Sequence, residues 1–288
     1  TCALPISFLE QTIKVAPQTT NNLMLWLTLL SVPFYIGFGA LSDRIGRKPV
    51  MLFGLVVMVL AYFPAFHALE KAGNPALSAA KESAPVTVIA DPADCSFQFD
   101  PIGKSQFKSG CDIAKSTLAR AGISYANQEA PAGTLAVIKI GETSVPSADG
   151  RALDGEPLAA LKKEAQGRIT AALRAAGYPE KADPAQTDVV QIFLVLSLLM
   201  VGATALYGPQ AAALVELFPA RVRYTALSLP YHIGTGWVGG FLPATAFAIV
   251  TATGDIYAGL WYPFVFTITA LVIMALFFKE TRGRDLSL

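Results

Sequence analysis

The sequence predicts a helical membrane protein with one polar domain inserted between its second and third membrane spans. Hydrophobic residues make up 53% of the 288 residues, and charged residues make up 15%. The charges are concentrated between residues 70 and 188. Elsewhere, long apolar runs are separated by short basic loops, which is the pattern of helices that cross a bilayer.

A short charged loop at residues 39–49, GALSDRIGRKP, separates the first two apolar runs. Residues 22–41 and 50–66 contain no charged side chain. Each run is long enough, or nearly so, to cross about 30 Å of hydrocarbon as a helix. Cytoplasmic loops carry an excess of Lys and Arg, so the cations of this loop predict that it lies in the cytoplasm. They are Arg44, Arg47 and Lys48.

The loop resembles the signature of the major facilitator superfamily, Gly-x-Leu-x-Asp-Arg-x-Gly-Arg-Lys. An ordinary cytoplasmic loop would need only basic residues, without Asp43 and two glycines in this order. The family has twelve helices and repeats this loop between the eighth and ninth, whereas this chain has room for about five spans. The resemblance therefore implies the C-terminal half of a major facilitator fold, in a chain expected to be a fragment of the transporter.

Five membrane spans are predicted, and residues 8–20 before them are expected to be the tail of an earlier helix and an outer loop. The spans cover residues 22–41, 49–67, 189–217, 225–251 and 257–278. Further basic clusters follow the third and fifth spans. They contain Arg221 and Arg223, and then Lys279, Arg282 and Arg284. Five alternating crossings put every basic cluster on one side of the membrane, as the positive-inside rule requires.

The insertion is predicted at residues 69–187, and no stretch of it is apolar enough to cross a bilayer. The flanking membrane parts are residues 1–68 and 188–288. Two segments have strand patterns and one has the periodicity of an amphipathic helix. These segments are residues 86–90, 135–140 and 157–176. The sequence therefore predicts a small α+β domain, and alternation of the spans makes it extracytoplasmic.

The insertion contains Cys95 and Cys111. In an oxidising exterior they can form a disulfide that closes a short loop, and the alternative is two unpaired thiols. No CxxC motif or spaced set of metal ligands accompanies them. The sequence therefore indicates neither a metal nor a cofactor.

Three motifs after the insertion resemble the metabolite:proton symporter branch of the superfamily. They are YGP at 207–209, ELFPARVRYT at 216–225 and LPYHIGTGW at 229–237. That branch takes up organic acids such as citrate and osmolytes such as betaine. The resemblance implies a secondary active transporter in a bacterial inner membrane. Its partners would be a small polar metabolite, a proton, the lipid bilayer and the N-terminal half of the same transporter. The resemblance does not cover the insertion.

The charged residues of the basic loops have two interpretations. They either set the topology alone, or they form a cytoplasmic gate whose charged pairs separate on opening. The resemblance implies the gate. We expect Asp43 at the N-terminus of a neighbouring helix, and Arg47 paired with Glu216 or with an acid outside this chain. The gate candidates are Asp43, Arg44, Arg47, Lys48, Glu216, Arg221 and Arg223.

His232 lies inside the fourth predicted span. Ionisable residues within membrane spans are rare and are commonly functional, and histidine titrates near neutral pH, which suits proton coupling. The alternative is a neutral histidine bonded to a backbone carbonyl. The neighbouring glycines and prolines either pack helices closely or break the helix at a cavity. Further candidates for the substrate pathway are Tyr207, Gln210, Tyr231, Thr235 and Trp237.

The sequence contains no nucleophile elbow, phosphate-binding loop or zinc-ligand motif, so we expect a transporter driven by an ion gradient and not an enzyme. No basic run indicates a nucleic acid partner. The competing hypothesis is a membrane-anchored binding or sensory protein that acts through its insertion. Such an anchor would not need the charged loops at Asp43 and Glu216.

Overall fold

The computed structural model describes residues 3–219 and 221–283, and it is mostly helical. Five helical segments in these residues are long and apolar enough to cross a membrane. They are Pro17–Ile45 (α2), Arg47–Gly73 (α3), Val189–Leu217 (α7), Arg223–Thr253 and Ala258–Leu276. A helical segment of membrane-crossing length lies at each of the five predicted spans. Arg284, which was expected to extend the last basic cluster, lies outside the described residues.

The chain before the first span is helical, as predicted for its beginning. A short helix, Ala3–Ser7 (α1), continues into a π-helical turn at Phe8–Thr12. The following helix α2 begins earlier than predicted, because Pro17 suits the first turn of a helix. Residues 17–20, predicted as loop, are therefore helical.

Helix α7 packs against both α2 and α3. Two glycines allow the close approach of α3 and α7. A Cβ atom at Gly54 would lie 2.7 Å from the carbonyl oxygen of Gly202, and one at Gly202 would lie 3.0 Å from Met58. Small residues at such a crossing let helix backbones approach closely, as in membrane helix pairs.

The fourth and fifth membrane segments are irregular. The fourth starts as Arg223–His232 (α8), widens into a π-helical stretch at Ile233–Gly239, and resumes as Leu242–Thr253 (α9). The fifth consists of a 3-10 turn, Ala258–Leu260, and Trp261–Leu276 (α10). This π-helical stretch contains several of the glycines after His232, where the sequence analysis allowed a break in the helix. Glycine adapts readily to such backbone changes.

The segment between α3 and α7 contains a small four-stranded sheet and three helices. The helices are Pro75–Ser83 (α4), Gly110–Ala121 (α5) and Gly155–Ala175 (α6). The strands are Val86–Ala90 (β1), Ala126–Glu129 (β2), Val137–Ile140 (β3) and Thr143–Pro146 (β4), and their order is β2-β1-β3-β4. Strand β1 pairs parallel with β2 and antiparallel with β3.

The predicted strands and amphipathic helix of this segment are present as β1, β3 and α6. Leu158, Ile169 and Leu173 are buried, so the apolar stripe of α6 faces the core as its spacing predicted. The elements α4, α5, β2 and β4 were not predicted. Helix α3 also runs to Gly73, beyond the predicted boundary at residue 68. It continues past Pro64 and ends where Asn74 caps it, just before Pro75 begins α4.

Cys95 and Cys111 form a disulfide across 16 residues of sequence. Of the two alternatives that the sequence left open, a disulfide and two unpaired thiols, the structure contains the disulfide. The bond joins the loop after a 3-10 turn, Pro92–Asp94, to the first turn of α5. It fixes that end of α5 against the chain that follows β1.

The inserted segment packs on one end of the membrane helices. A continuous cluster of buried apolar side chains runs from Phe66 of α3 to Leu118 of α5 and Ile138 of β3. The phenolic O–H of Tyr125 donates to the carbonyl of Thr251 over 2.7 Å, and its backbone N–H donates to Gly254 over 2.8 Å. The insertion is therefore fixed to the turn after α9 and is not tethered by flexible linkers alone.

Candidate functional site

The turn between α2 and α3 requires glycine. Gly46 has φ +109°, a backbone conformation that side chains with a Cβ atom rarely adopt. A Cβ atom there would also collide with the carboxyl group of Glu280. The glycine lets two membrane helices meet within one residue, which brings the charges of the loop together.

Arg47 is buried at the start of α3, with 9% of its surface exposed. Its Nη2 donates to Oε1 of Glu216 over 3.1 Å, and its Nη1 donates to the hydroxyl of Ser42 over 2.7 Å and to the carboxylate of Asp43. Buried charges are tolerated where they are paired and hydrogen-bonded. Of the two predicted partners for Arg47, the structure contains Glu216.

Glu216 reaches Arg47 from the last turn of α7, and 14% of its side chain is exposed. Its second carboxylate oxygen accepts a hydrogen bond of 2.6 Å from the hydroxyl of Thr281, which is fully buried. Glu216 therefore joins the α2–α3 turn to the chain that follows α10. We call Ser42, Asp43, Arg47, Glu216, Glu280 and Thr281 the Arg47 cluster.

Glu280 caps the N-terminus of α3. Its carboxylate accepts the backbone N–H groups of Arg47 at 2.8 Å and Lys48 at 3.0 Å, and also those of Thr281 and Arg282. Burial raises the pKa of this carboxyl, but the four N–H groups outweigh burial and leave the pKa lowered. Because Glu280 occupies the helix N-terminus that we expected for Asp43, that expectation is corrected. Asp43 binds the Arg47 side chain instead.

The remaining basic residues of the turn contact the last turn of α10 and the chain that follows it. The ammonium group of Lys48 donates to the carbonyl of Ala275 over 2.9 Å. The carbonyl of Arg44 accepts a hydrogen bond from the guanidinium of Arg282. The first and last basic clusters of the described chain therefore lie at the same end of the helices, as alternation of the spans predicted.

Arg221 and Arg223 do not join the Arg47 cluster. Arg223 donates to the carbonyl of Phe218 over 3.1 Å, and its buried Nη2 has no hydrogen-bond partner in the described part of the chain. Arg221 is exposed and forms no ion pair with any described residue. Their predicted role in the gate has no direct contact to support it in this structure.

The candidates for the substrate pathway form two separate groups. Tyr231, His232, Thr235 and Trp237 lie on the exposed stretch where α8 passes into the π-helical turns. Nδ1 of His232 lies 2.8 Å from the carbonyl of Ser228. A carbonyl only accepts hydrogen bonds, so Nδ1 carries the proton in this contact, and no described residue hydrogen-bonds Nε2. This contact is also the one expected for a neutral histidine with a structural role.

Tyr207 and Gln210 lie on α7, where Tyr207 is exposed and Gln210 is half-buried. No hydrogen bond or ion pair joins them to the group on α8 within the described residues. The structure therefore does not bring the six candidates into one site.

A second buried charge, which the sequence analysis missed, lies at the other end of α3. The carboxylate of Glu70, with 8% of its side chain exposed, pairs with Lys81 of α4 and accepts from the hydroxyl of Tyr257. The ring of His67 lies against Tyr257 with centroids 3.9 Å apart and the two planes tilted by 42°. We call these four residues the Glu70 cluster.

Glu280 and Thr281 were also missed, although one signal was available. Glu280 is the single carboxylate among the cations at 279, 282 and 284. An acid that remains inside a basic cluster suggests a specific partner. The sequence does not reveal that partner, because the Arg47 backbone N–H lies 233 residues away in the chain.

Residues 169–288 match the model of the Sugar (and other) transporter family. The loop at residues 39–49 lies outside this match. The chain is 34% identical over 95 residues to the glycine betaine/proline/ectoine/pipecolic acid transporter of Dickeya dadantii, which covers 33% of this chain and 19% of that protein. These matches confirm the resemblance to the major facilitator superfamily.

Two further relatives have similar coverage. An inner membrane metabolite transport protein of Escherichia coli is 34% identical over 98 residues, or 34% of this chain and 21% of that protein. A citrate-proton symporter of Klebsiella pneumoniae is 34% identical over 77 residues, or 25% of this chain and 17% of that protein. The matched segment thus spans about a fifth of the length of these relatives. No solved structure matches.

The matching family and the relatives are transport proteins, and the comparisons do not favour the sensory alternative. In addition, five helical segments of the described residues are long and apolar enough to cross a membrane.

Proposed function

Starting from the resemblance to the Sugar (and other) transporter family, we propose that this chain is part of a proton-coupled symporter for a small polar metabolite. The metabolite is an organic acid or an osmolyte, as in the names of the relatives. The observation that carries the proposal is the buried ion pair of Arg47 and Glu216. This pair joins the ends of two membrane helices, α3 and α7. A passive membrane anchor would not need such a contact.

The Arg47 cluster acts as a latch on the cytoplasmic side. It links the α2–α3 turn, the end of α7 and the chain after α10 through carboxylates. Alternating access requires two arrangements of helices around a central site. In the closed arrangement the carboxylates are occupied by Arg47 and backbone N–H groups, and opening separates them. This makes the cluster a two-state element of the kind that switching proteins use.

The fourth membrane segment faces the central pathway. Its most apolar stretch is the least buried of the five segments, and it carries His232, Tyr231 and Trp237 on exposed positions. The match covers about a fifth of each relative, and we propose that further helices of the complete transporter cover this face. His232 then lies at the interface of two bundles, where its free Nε2 exchanges a proton.

The inserted segment lies on the outer side of the membrane in this topology, at residues 69–187. Its packing at the end of the helices opposite the Arg47 cluster supports that placement. The disulfide of Cys95 and Cys111 also suits an oxidising exterior.

Uptake by the complete transporter tests the function. We would express the whole gene in a transport-deficient bacterial host and follow labelled citrate and glycine betaine, with and without a protonophore. We expect accumulation of one of them that collapses with the protonophore. His232→Gln is expected to remove the dependence on the proton gradient. Uptake unchanged by the protonophore would exclude proton coupling, and unchanged coupling in the variant would assign His232 a structural role.

Accessibility of a buried thiol tests the latch. Thr281→Cys, in a Cys2→Ser background, places a thiol at a fully buried position beside Glu216. We expect Glu216→Gln to increase its labelling rate by a cytoplasmic maleimide about tenfold, because the latch opens more often. The matched control is Glu180→Gln, which removes an exposed ion pair with Arg174 in the insertion. Equal labelling rates in both variants would refute the latch.

A further inference from the structure

A cavity of about 440 Å³ lies between the inserted segment and α9. Side chains of α5, α6 and the loop before α5 line one wall, and Ala244 and Phe247 of α9 line the other. Its volume lies in the range of small-molecule pockets, roughly 300–1,000 Å³. The cavity is distinct from the Arg47 cluster, which lies at the opposite end of the membrane helices.

One lining residue is an unsatisfied hydrogen-bond acceptor. Gln98 is 2% exposed, and its amide nitrogen donates to the carbonyl of Asp112 over 2.9 Å. Its amide oxygen has no partner in the described part of the chain. Buried polar atoms nearly always have a partner, so an orphaned oxygen on a residue that lines a cavity points to a missing donor. With the nitrogen engaged, that donor must be an O–H or N–H group of a bound molecule or water.

Two cations face the same cavity. Arg120 and Lys162 line it, and neither forms an ion pair with a described residue. The Arg120 guanidinium lies over the Phe247 ring, 5.4 Å from the centroid. This contact orients the group without neutralising it. Burial lowers the pKa of Lys162, Asp112 raises it, and the nearby charges of Arg120 and Lys108 lower it further.

The carboxylates near the cavity are already engaged. Asp100 lines it and accepts the backbone N–H groups of Lys104 at 3.1 Å and Ser105 at 3.0 Å. Asp112 lies behind the wall and accepts from the backbone N–H and the hydroxyl of Ser96. Lys108 is paired with Asp154. The lining thus offers two unpaired cations against one carboxylate bound to backbone, which favours an anion.

We infer that this cavity binds a small hydroxycarboxylate. The carboxylate group pairs with Lys162 and Arg120, and the hydroxyl group donates to the amide oxygen of Gln98. Because the walls belong to the insertion and to α9, a bound molecule contacts both parts at once. A role for this cavity in capturing substrate outside the membrane rests on the proposed transport function. The inference that the cavity binds a hydroxycarboxylate does not rest on that function.

Calorimetric titration of the purified full chain in detergent tests the site. The probe is malate, and the matched ligand is succinate, which has the same two carboxylates and no hydroxyl group. We expect malate to bind at least about tenfold more tightly, since a site with a buried acceptor rejects a ligand that leaves it unpaired. Equal affinities for the two acids, or tighter binding of glycine betaine, would overturn the inference.

Neighbouring lysines of α6 provide a matched pair of variants. Lys162→Met is expected to weaken malate binding at least about tenfold, because a charge-assisted hydrogen bond is lost. Lys163→Met changes an exposed lysine that does not line the cavity, and binding should be unchanged. Lys162→Arg should retain most of the affinity, which separates a lost charge from a misfolded chain. Identical binding in the Lys162→Met and Lys163→Met variants would exclude the site.

Gln98→Met tests the hydroxyl contact. Methionine has a similar volume and removes the amide oxygen, so malate and succinate should bind this variant within about twofold of each other. A preference for malate that persists would refute the role of Gln98.

Proton-coupled uptake without malate binding would refute this inference alone. Malate binding without any uptake would refute the proposed transport function alone.

Discussion

The two ends of α3 bury a charged side chain in different ways. At the start of the helix, Arg47 is held by side-chain oxygens, and the chain after α10 is attached there by the carboxylate of Glu280. At the other end, Glu70 pairs with Lys81, but backbone bonds also fix its surroundings. Ala72 accepts from the N–H of Asp188 over 2.8 Å, and Ile13 accepts from the side chain of Asn74 over 3.0 Å.

This difference separates an end that can open from one that is fixed. Side-chain contacts to carboxylates can be exchanged for water or other partners without unfolding a helix. Bonds to backbone groups, such as that between Asp188 and Ala72, cannot be exchanged without moving the chain itself. We therefore expect motion at the Arg47 end and rigidity at the Glu70 end.

Removal of one carboxylate at each end should give the largest effect. Glu216→Ala leaves Arg47 buried with a weaker set of partners, and we expect a loss of about 3 kcal/mol in the free energy of unfolding. Glu70→Ala leaves Lys81, which is 18% exposed in its side chain and can turn towards water. We expect about half that loss. The measurement is unfolding of the purified chain in mixed micelles with increasing dodecyl sulfate.

A double variant distinguishes the lost pair from lost packing. Arg47→Met combined with Glu216→Ala removes the uncompensated charge, and most of the stability should return. If the double variant is as unstable as Glu216→Ala, the buried charge is not the cause. If Glu70→Ala costs more than Glu216→Ala, the contrast between the two ends is wrong.

The contact between the insertion and the turn after α9 should give a smaller effect. Gly254 has φ +83°, and a Cβ atom there would overlap the carbonyl oxygen of Tyr125. We expect Gly254→Ala to cost about 2 kcal/mol, from backbone strain and from this collision. Limited proteolysis of the insertion should become faster, because its attachment to the membrane helices is weakened.

Gly133→Ala is the matched control for that variant. Gly133 has a similar φ of +77°, but no atom lies within 4 Å of the added Cβ position. It should cost about 1 kcal/mol, the part that comes from the backbone alone. Equal proteolysis rates in the two variants would show that the Tyr125 contact does not hold the insertion.

The smallest expected effect is a pH dependence from Glu280. Its pKa in the folded chain is lowered. The carboxylate therefore contributes stability above its unfolded pKa of about 4.3, and the contribution is lost as the pH falls through the lower folded value. Glu280→Gln should be about 1 kcal/mol less stable than the original chain at pH 7. The difference should shrink below about pH 4. Micelle unfolding at several pH values measures it, and a constant difference would contradict the capping role.

Local sequence patterns determined the membrane spans. The runs around residues 30, 58, 200, 240 and 268 are apolar over a membrane thickness, and that property does not depend on neighbouring segments. The amphipathic helix α6 could also be predicted from local sequence, because the spacing of Leu158, Ile169 and Leu173 places them on one face of a helix. The basic loops likewise determined which helix ends lie together.

Tertiary structure decided the elements that have no pattern of their own. Strand β2 has the sequence ANQE and is exposed throughout, so it lacks the alternation that identifies a strand. It is a strand because β1 offers it a parallel edge. Likewise, the capping role of Glu280 could not be predicted from sequence. That role depends on the N-terminus of α3, and the Arg47 N–H that Glu280 binds lies 233 residues away in the chain. Local hydrophobicity specifies which segments enter the membrane, whereas the partners of buried charges depend on how distant segments meet.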